Sequence, residues 1–497
     1  MNKNLNIVWH KRDLRLRDNE PLRQAEKDGL DYLAIYIFEP SMMAYPDTSL
    51  RHLQFVYHSL EEMNANLKQY DRSVMIFHGE TERIFSYLHK TYTLKKVFSY
   101  QESGINLTWE RDKAIAKYFK QNRIEWMECQ RDGIQRGINN RDTWDNQWYE
   151  KVNQEILEFQ FSPATFQAPE NPFPVRGELE DQLIEYGPSF QKPGEAYAWR
   201  YLRSFCEQRG KNYNRHISKP LESRKSCGRI SPYLAWGNIS IRQVFQFVRS
   251  HKNYHLYKRS FDGLLTRLHW HCHFIQKFEV ECAYETRCIN RGYEAMAHTN
   301  DPKLITAWEK GNTGFPLVDA CMRCLKETGW INFRMRAMLV SVLCHHFDCD
   351  WREGMYHLAR YFLDYEPGIH YPQFQMQAGT TGVNMIRMYN PVKQSKDHDP
   401  NGVFIKKWVP ELRDVPVEFI HEPWTMTALD IAFNKVQINY PAPVVDLVES
   451  GRRAKEKIWG FKKTPKVRAE NRRIVEVHVR TKSKKEKEAR VNGKEKK

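Results

Sequence analysis

Long apolar runs are missing from the 497-residue sequence. No stretch approaches the roughly 18 residues that would span a bilayer, and no apolar leader opens the chain, so no membrane partner is predicted. Cysteine is sparse: ten residues in a chain of this length form no disulfide framework, which predicts reduced thiols in a cytoplasmic protein. There is no internal repeat and no Gly-rich dinucleotide fingerprint. No second cysteine pair at zinc-finger spacing accompanies Cys321 and Cys324, so they are read as buried thiols. Acidic residues are also short, 61 Asp and Glu against 77 Lys and Arg, leaving a formal charge of +16. Most of that excess lies at one end, where residues 451–497 hold 19 basic and 6 acidic side chains, a net of +13. Such a segment lacks the apolar area to order itself. It serves either as a solubilising tail or as a sequence-independent arm for phosphates, weakened by salt.

Aromatic residues are abundant. With 14 Trp, 25 Tyr and 26 Phe there is material for two cores and for flat pockets between side chains. Residues 1–130 alternate short apolar strands ("LNIVWH", "DYLAIYIFEP", "SVMIFHG", "LKKVFSYQES") with helical periods, which predicts a Rossmann-like, doubly wound parallel α/β sheet. Residues 131–194, rich in Pro, Gly and charge toward their end, read as an interdomain connector. From 195 to 460 nearly every segment has helical period, predicting an all-α domain, and residues 461–497 form the basic tail, predicted to be disordered.

The stretch "TRLHWHCHFIQKFE" (266–279) raises the question of a metal site. On a helix, Phe261, Leu265, Leu268, Cys272 and Ile275 share an apolar stripe, which makes Cys272 a core residue. His269 and His273 are four apart, but His271 points elsewhere, so the three cannot converge on one ion and no metal is predicted. Arg267, Trp270, His271 and Phe274 fall on one ridge, a surface on which a base could stack while its phosphate is held. Ordinary amphipathic packing produces the same ridge, so the helix alone decides nothing.

"IVWHKRDLRLRDNEPL", "GNTGFPLVDACMRCLKETGWINFRMRAMLVSVL", "DWREG" and "NPVKQSKDHDPNGVFIKKWVPEL" occur in order along the chain. This succession resembles the photolyase/cryptochrome flavoproteins. The resemblance implies a helical domain that holds FAD in a folded conformation and a basic face that accepts DNA containing pyrimidine dimers, with the damaged dinucleotide flipped out. It further implies electron transfer from photoexcited reduced FAD to split a cyclobutane pyrimidine dimer, a carbon-carbon lyase reaction, in a monomeric protein. The alternative is a cryptochrome-like blue-light photosensor without repair. A third reading is a DNA-binding flavoprotein with neither activity. No antenna chromophore is identified from the sequence.

The same resemblance assigns residues. Tyr213, Cys227, Gly228, Arg229, Ile230 and Ser231 match the segment that wraps the FAD phosphates and ribityl chain, with Cys227 where a hydroxyl residue is usual. Arg336 and Asp364 match the ion pair beside the isoalloxazine, followed by Tyr365 and Glu366. His370 stands at the position facing flavin N5, where photolyases usually carry Asn. Trp270 matches the lesion-stacking Trp, whereas Arg267 replaces a glutamate and His271 an arginine. Both Arg267 and Trp270 are implied to be catalytic, and Trp270, His271, Phe333, Arg334 and Gln394 to contact DNA. Trp308 and Trp351 match the middle and outer members of the photoreducing relay, and Phe374 replaces its first tryptophan. Tyr371, Tyr389 and Trp330 are alternative routes. Phe333 and Ala337 occupy the positions of the two histidines found in relatives that repair (6-4) photoproducts, which disfavours that lesion.

Overall fold

The structure, a computed structural model, describes residues 3–166 and 168–478. Strands β1 (Asn4–His10), β2 (Tyr32–Phe38), β3 (Val74–His78), β4 (Thr93–Tyr100) and β5 (Glu125–Cys129) form one parallel sheet in the order β3-β2-β1-β4-β5. Helices cover both faces, which is why β1 and β2 are apolar at consecutive positions rather than alternating. The first crossover helix, Glu20–Asp28, begins where the Asn19 side chain accepts the Leu22 N–H and ends on Gly29, whose φ of 75° suits glycine. The connection order reverses between β1 and β4, opening a crevice beyond their carboxyl ends.

The second region is helical. Its centre is the 23-residue Lys258–Val280 helix, which packs along the Pro367–Ala378 helix. Phe261, Leu265, Leu268, Cys272 and Ile275 are all buried, as the stripe predicts. Among the described residues no helix is long and apolar enough to cross a membrane.

Two segments differ from the sequence reading. Residues 131–153 are docked rather than loosely connecting. Trp144 and Trp148 are each 1% exposed, the Trp144 indole N–H donates to the Gly133 carbonyl, and Gln276 accepts the Gln135 N–H. Aromatic burial outweighs the polar composition of this stretch. The tail predicted to be disordered from residue 461 is helical from Pro465 to His478. Val467 and Ile474 are buried, and Asn290 donates to the Val467 carbonyl. A side chain at Gly292 would meet the Val467 backbone at 2.6 Å, so that glycine permits the approach. Periodic apolar residues inside a charged stretch suffice to dock it. The rest of the tail, 479–497, lies outside the described residues.

Candidate cofactor and substrate cavity

A cavity of about 620 Å³ opens in the helical region, in the usual range for a cofactor or ligand site. Several stretches far apart in sequence build it, in three main groups. The first is 213–231, of which Tyr213, Cys227, Gly228, Arg229, Ile230 and Ser231 all line the cavity. Burial pushes the Cys227 thiol up to about 12, so it stays protonated and offers only a weak donor in place of a hydroxyl. A Cβ at Gly228 would meet nothing closer than Leu264 at 3.4 Å, so packing alone does not demand glycine there. Arg229 sits at φ 57° with its guanidinium bound to Gln191 Oε1 at 2.6 and 2.9 Å and stacked over Trp330. Burial and the neighbouring Arg224 lower its pKa to about 10, still cationic at neutral pH.

The second stretch is 330–337 with 362–374. Arg336 Nη2 donates to both carboxylate oxygens of Asp364, at 3.0 and 2.7 Å, and its guanidinium lies over the Phe362 ring. Glu366 is buried, with Oε2 held by Arg131 at 3.1 Å and approached by Arg12 at 3.8 Å, while Oε1 has no partner among the described residues. His370 donates from Nε2 to the Met355 carbonyl at 2.8 Å, and burial lowers its pKa to about 4. It is therefore neutral with Nδ1 left as an acceptor. Phe374 is buried beside it, with the ring centroids 5.6 Å apart.

The third is the Lys258–Val280 helix. Arg267, Trp270, His271 and Phe274 all face the cavity, so the ridge read from the sequence forms one wall. Trp270 is 45% exposed at the rim, an unusual position for an indole without a partner ligand. Arg267 lies over the Phe333 ring, near the buried Tyr213. Both ring nitrogens of His271 are buried without a partner among the described residues. Burial lowers its pKa, which favours the neutral imidazole. The other two histidines are engaged elsewhere: His269 with Asp145 at 3.1 Å, and His273 with Arg141 at 3.0 Å.

Phe333 and Arg334 also line the cavity, and Arg334 stacks on Phe333. Four assigned residues lie outside. Tyr365 turns away to the crevice at the end of the sheet, where its hydroxyl donates to Asp47. Its side chain therefore stands outside the cavity. Gln394 is on the Pro391–His398 helix and does not reach the wall. Trp308 and Trp351 are 0% and 1% exposed, donating to the Leu339 carbonyl and to Cys288 Sγ, and neither touches the cavity or the surface. The sequence reading missed Asn384, Met385 and Arg387, which complete the mouth from an irregular segment without periodicity.

The donor set fits FAD. Residues 213–231 supply a glycine and a cation for phosphates, and an arginine-carboxylate pair sits beside a slot lined by Phe362 and Phe374.

Comparison with known proteins agrees. Residues 264–460 match the model of the FAD binding domain of DNA photolyase, and residues 6–134 match that of DNA photolyase. The chain is 26% identical over 480 residues to a deoxyribodipyrimidine photo-lyase of Alkalihalophilus pseudofirmus, covering 90% of this chain and 97% of that protein. It is 25% identical over 478 residues to a cryptochrome DASH of Synechocystis, covering 89% and 96%. Its fold superposes with a TM-score of 0.80 on a class III photolyase of Agrobacterium tumefaciens, at 24% identity, covering 93% and 99% of the two chains. This parallel sheet and helical cavity belong to a member of the photolyase/cryptochrome family, with FAD as its cofactor.

Proposed function

We propose that the protein is a light-driven DNA repair enzyme that splits cyclobutane pyrimidine dimers. The observation that carries this reading is the continuity of a single cavity from the Arg336–Asp364 pair to the half-exposed Trp270 at its rim. A flipped dinucleotide stacked on Trp270 would thereby share one enclosed space with the cofactor. When bound, FAD supplies light absorption and the electron, chemistry that no side chain here can provide.

The chain's own residues position and tune. Arg336 and Asp364 fix one edge of the slot by a charge-assisted double contact. His370 presents an acceptor, and His271 adds an imidazole to the wall. Arg267 and Arg334, both stacked on Phe333, place positive charge where a negatively charged lesion and its phosphate would lie. The apolar walls, Leu264, Leu268, Phe274 and Phe362, limit water.

The photosensor reading draws on one observation. Arg267 occupies the wall, over the Phe333 ring, so this position offers no carboxylate acceptor to a pyrimidine N–H. Light-dependent loss of dimers from an oligonucleotide treated with chemically reduced protein separates the two. Dimer loss supports repair, and its absence with FAD bound supports the photosensor.

A further inference from the structure

Behind the cavity, Asp47, Tyr365 and Tyr371 are buried together where the loop after β2 meets the Pro367–Ala378 helix. The Tyr365 hydroxyl donates to Asp47 Oδ2 at 2.5 Å, and the Tyr371 hydroxyl lies 3.1 Å from the Tyr365 oxygen and 3.5 Å from the same carboxylate oxygen. Burial raises the Asp47 pKa, so its carboxylate is a stronger base than an exposed one, while Arg12 and the phenol donors favour its ionised form. Burial also holds the Tyr365 phenol well above its usual range, so it keeps its proton in the dark. One ring separates this group from the cavity. His370 lines the cavity, and its ring centroid lies 5.4 Å from that of Tyr365 and 5.4 Å from that of Tyr371. Beyond Tyr365 come His52, stacked at 5.7 Å, and Trp236, a further 5.7 Å away. The Arg12 guanidinium sits 4.5 Å over the Trp236 ring and opposes the positive charge that an oxidised indole carries. An oxidised phenol escapes that penalty by releasing its proton, and Tyr365 is already bonded to a base.

We infer that Tyr365 is an electron donor to the photoexcited, oxidised flavin, with Asp47 as the acceptor of its proton. One electron leaves the phenol for the isoalloxazine across the His370 contact, the Tyr365 O–H bond breaks, and its proton moves to Asp47 Oδ2. Tyr365 is left as a neutral phenoxyl radical and Asp47 as a neutral carboxylic acid. One negative charge thereby passes from Asp47 to the flavin, and the total is unchanged. The Tyr371 hydroxyl is placed to donate to the phenoxyl oxygen and hold the radical there. The inference rests on FAD as the cofactor and is independent of dimer repair.

The test uses the full-length protein loaded with oxidised FAD, without DNA or added reductant, as the parent and as Tyr365→Phe, Asp47→Asn and Tyr371→Phe. Flavin absorbance and a denaturant midpoint check that each is loaded and folded before blue illumination, after which radicals are trapped and read by electron paramagnetic resonance. The parent is expected to give a tyrosyl spectrum that narrows when the protein is grown on ring-deuterated tyrosine. Tyr365→Phe and Asp47→Asn lose the signal, whereas Tyr371→Phe keeps it with a shifted g value, because the phenoxyl oxygen loses a hydrogen bond. Formation in the parent slows in deuterium oxide, since the proton moves with the electron; this measurement needs no substitution. A parent without a tyrosyl radical, a signal that survives Tyr365→Phe, parent yield in Asp47→Asn, or an unchanged rate in deuterium oxide each overturns the proposal.

Discussion

The Tyr365 hydroxyl donates to Asp47 Oδ2 at 2.5 Å, joining the loop after β2 to the segment that carries Asp364 and Glu366. Burial holds the Asp47 carboxyl above the usual carboxylate range, and Tyr371 lies second at 3.5 Å. The pair ties the sheet to the back of the cavity without entering it. Tyr365→Phe should therefore destabilise the protein by about 1–3 kcal/mol, the cost of a buried acceptor losing its main partner, while the purified protein keeps its FAD. Denaturant midpoints and the flavin-to-protein absorbance ratio read the two effects separately, and loss of FAD with unchanged stability would restore Tyr365 to the cofactor site.

Asp364→Asn leaves Arg336 without its charged partner at the edge of the slot. Asp364 is almost wholly buried and Arg336 partly exposed, so the stability loss should fall below that of a fully buried pair, about 2 kcal/mol. FAD retention should fall with it. A variant purified with full FAD and an unshifted denaturant midpoint would remove the pair from the cofactor's support.

Trp270→Ala should leave FAD bound but cut discrimination between damaged and undamaged DNA by about 5- to 100-fold, the range of one stacked base. Competition binding with dimer-containing and intact oligonucleotides measures this, and undiminished discrimination would end the stacking role.

His52 and His345 are buried and His370 is partly buried, and desolvation lowers their pKa values to about 3, about 4 and about 4. Each folded value lies below the ordinary 6.5, so the unfolded chain takes the proton first. Stability is full above about pH 6.5 and declines as pH falls toward 4, with about 1–2 kcal/mol lost per histidine by pH 5. His370→Asn should flatten that acid limb in a series of urea midpoints against pH. Superimposable curves for parent and variant would contradict a desolvated, neutral His370.

Phe374→Trp should speed photoreduction of the bound flavin and barely alter repair by protein reduced chemically beforehand. An unchanged photoreduction rate would show that the electron travels by another route, a point sharpened by the burial of both Trp308 and Trp351.

Period and residue order carried much of this structure into the sequence. Consecutive apolar positions in β1 and β2 identify a sheet covered on both faces, and spacings of three and four put Arg267, Trp270, His271 and Phe274 on one wall. What escaped depends on contacts between distant residues. Nothing local says that Trp144 and Trp148 pull a polar connector onto the helical region, or that Asn290 and Gly292 seat the Pro465–His478 helix. Arg387 comes from a segment without period, and Tyr365 follows cavity residues while facing away from them.

The measurement that bears most directly on the central claim is blue-light conversion of a dimer-containing oligonucleotide by protein whose FAD has been chemically reduced beforehand, with a dark control. Prior reduction removes Phe374 and the buried tryptophans from the question. The account predicts intact thymines restored in the light and none in the dark; no restoration with FAD bound and fully reduced would contradict repair and leave a photosensor.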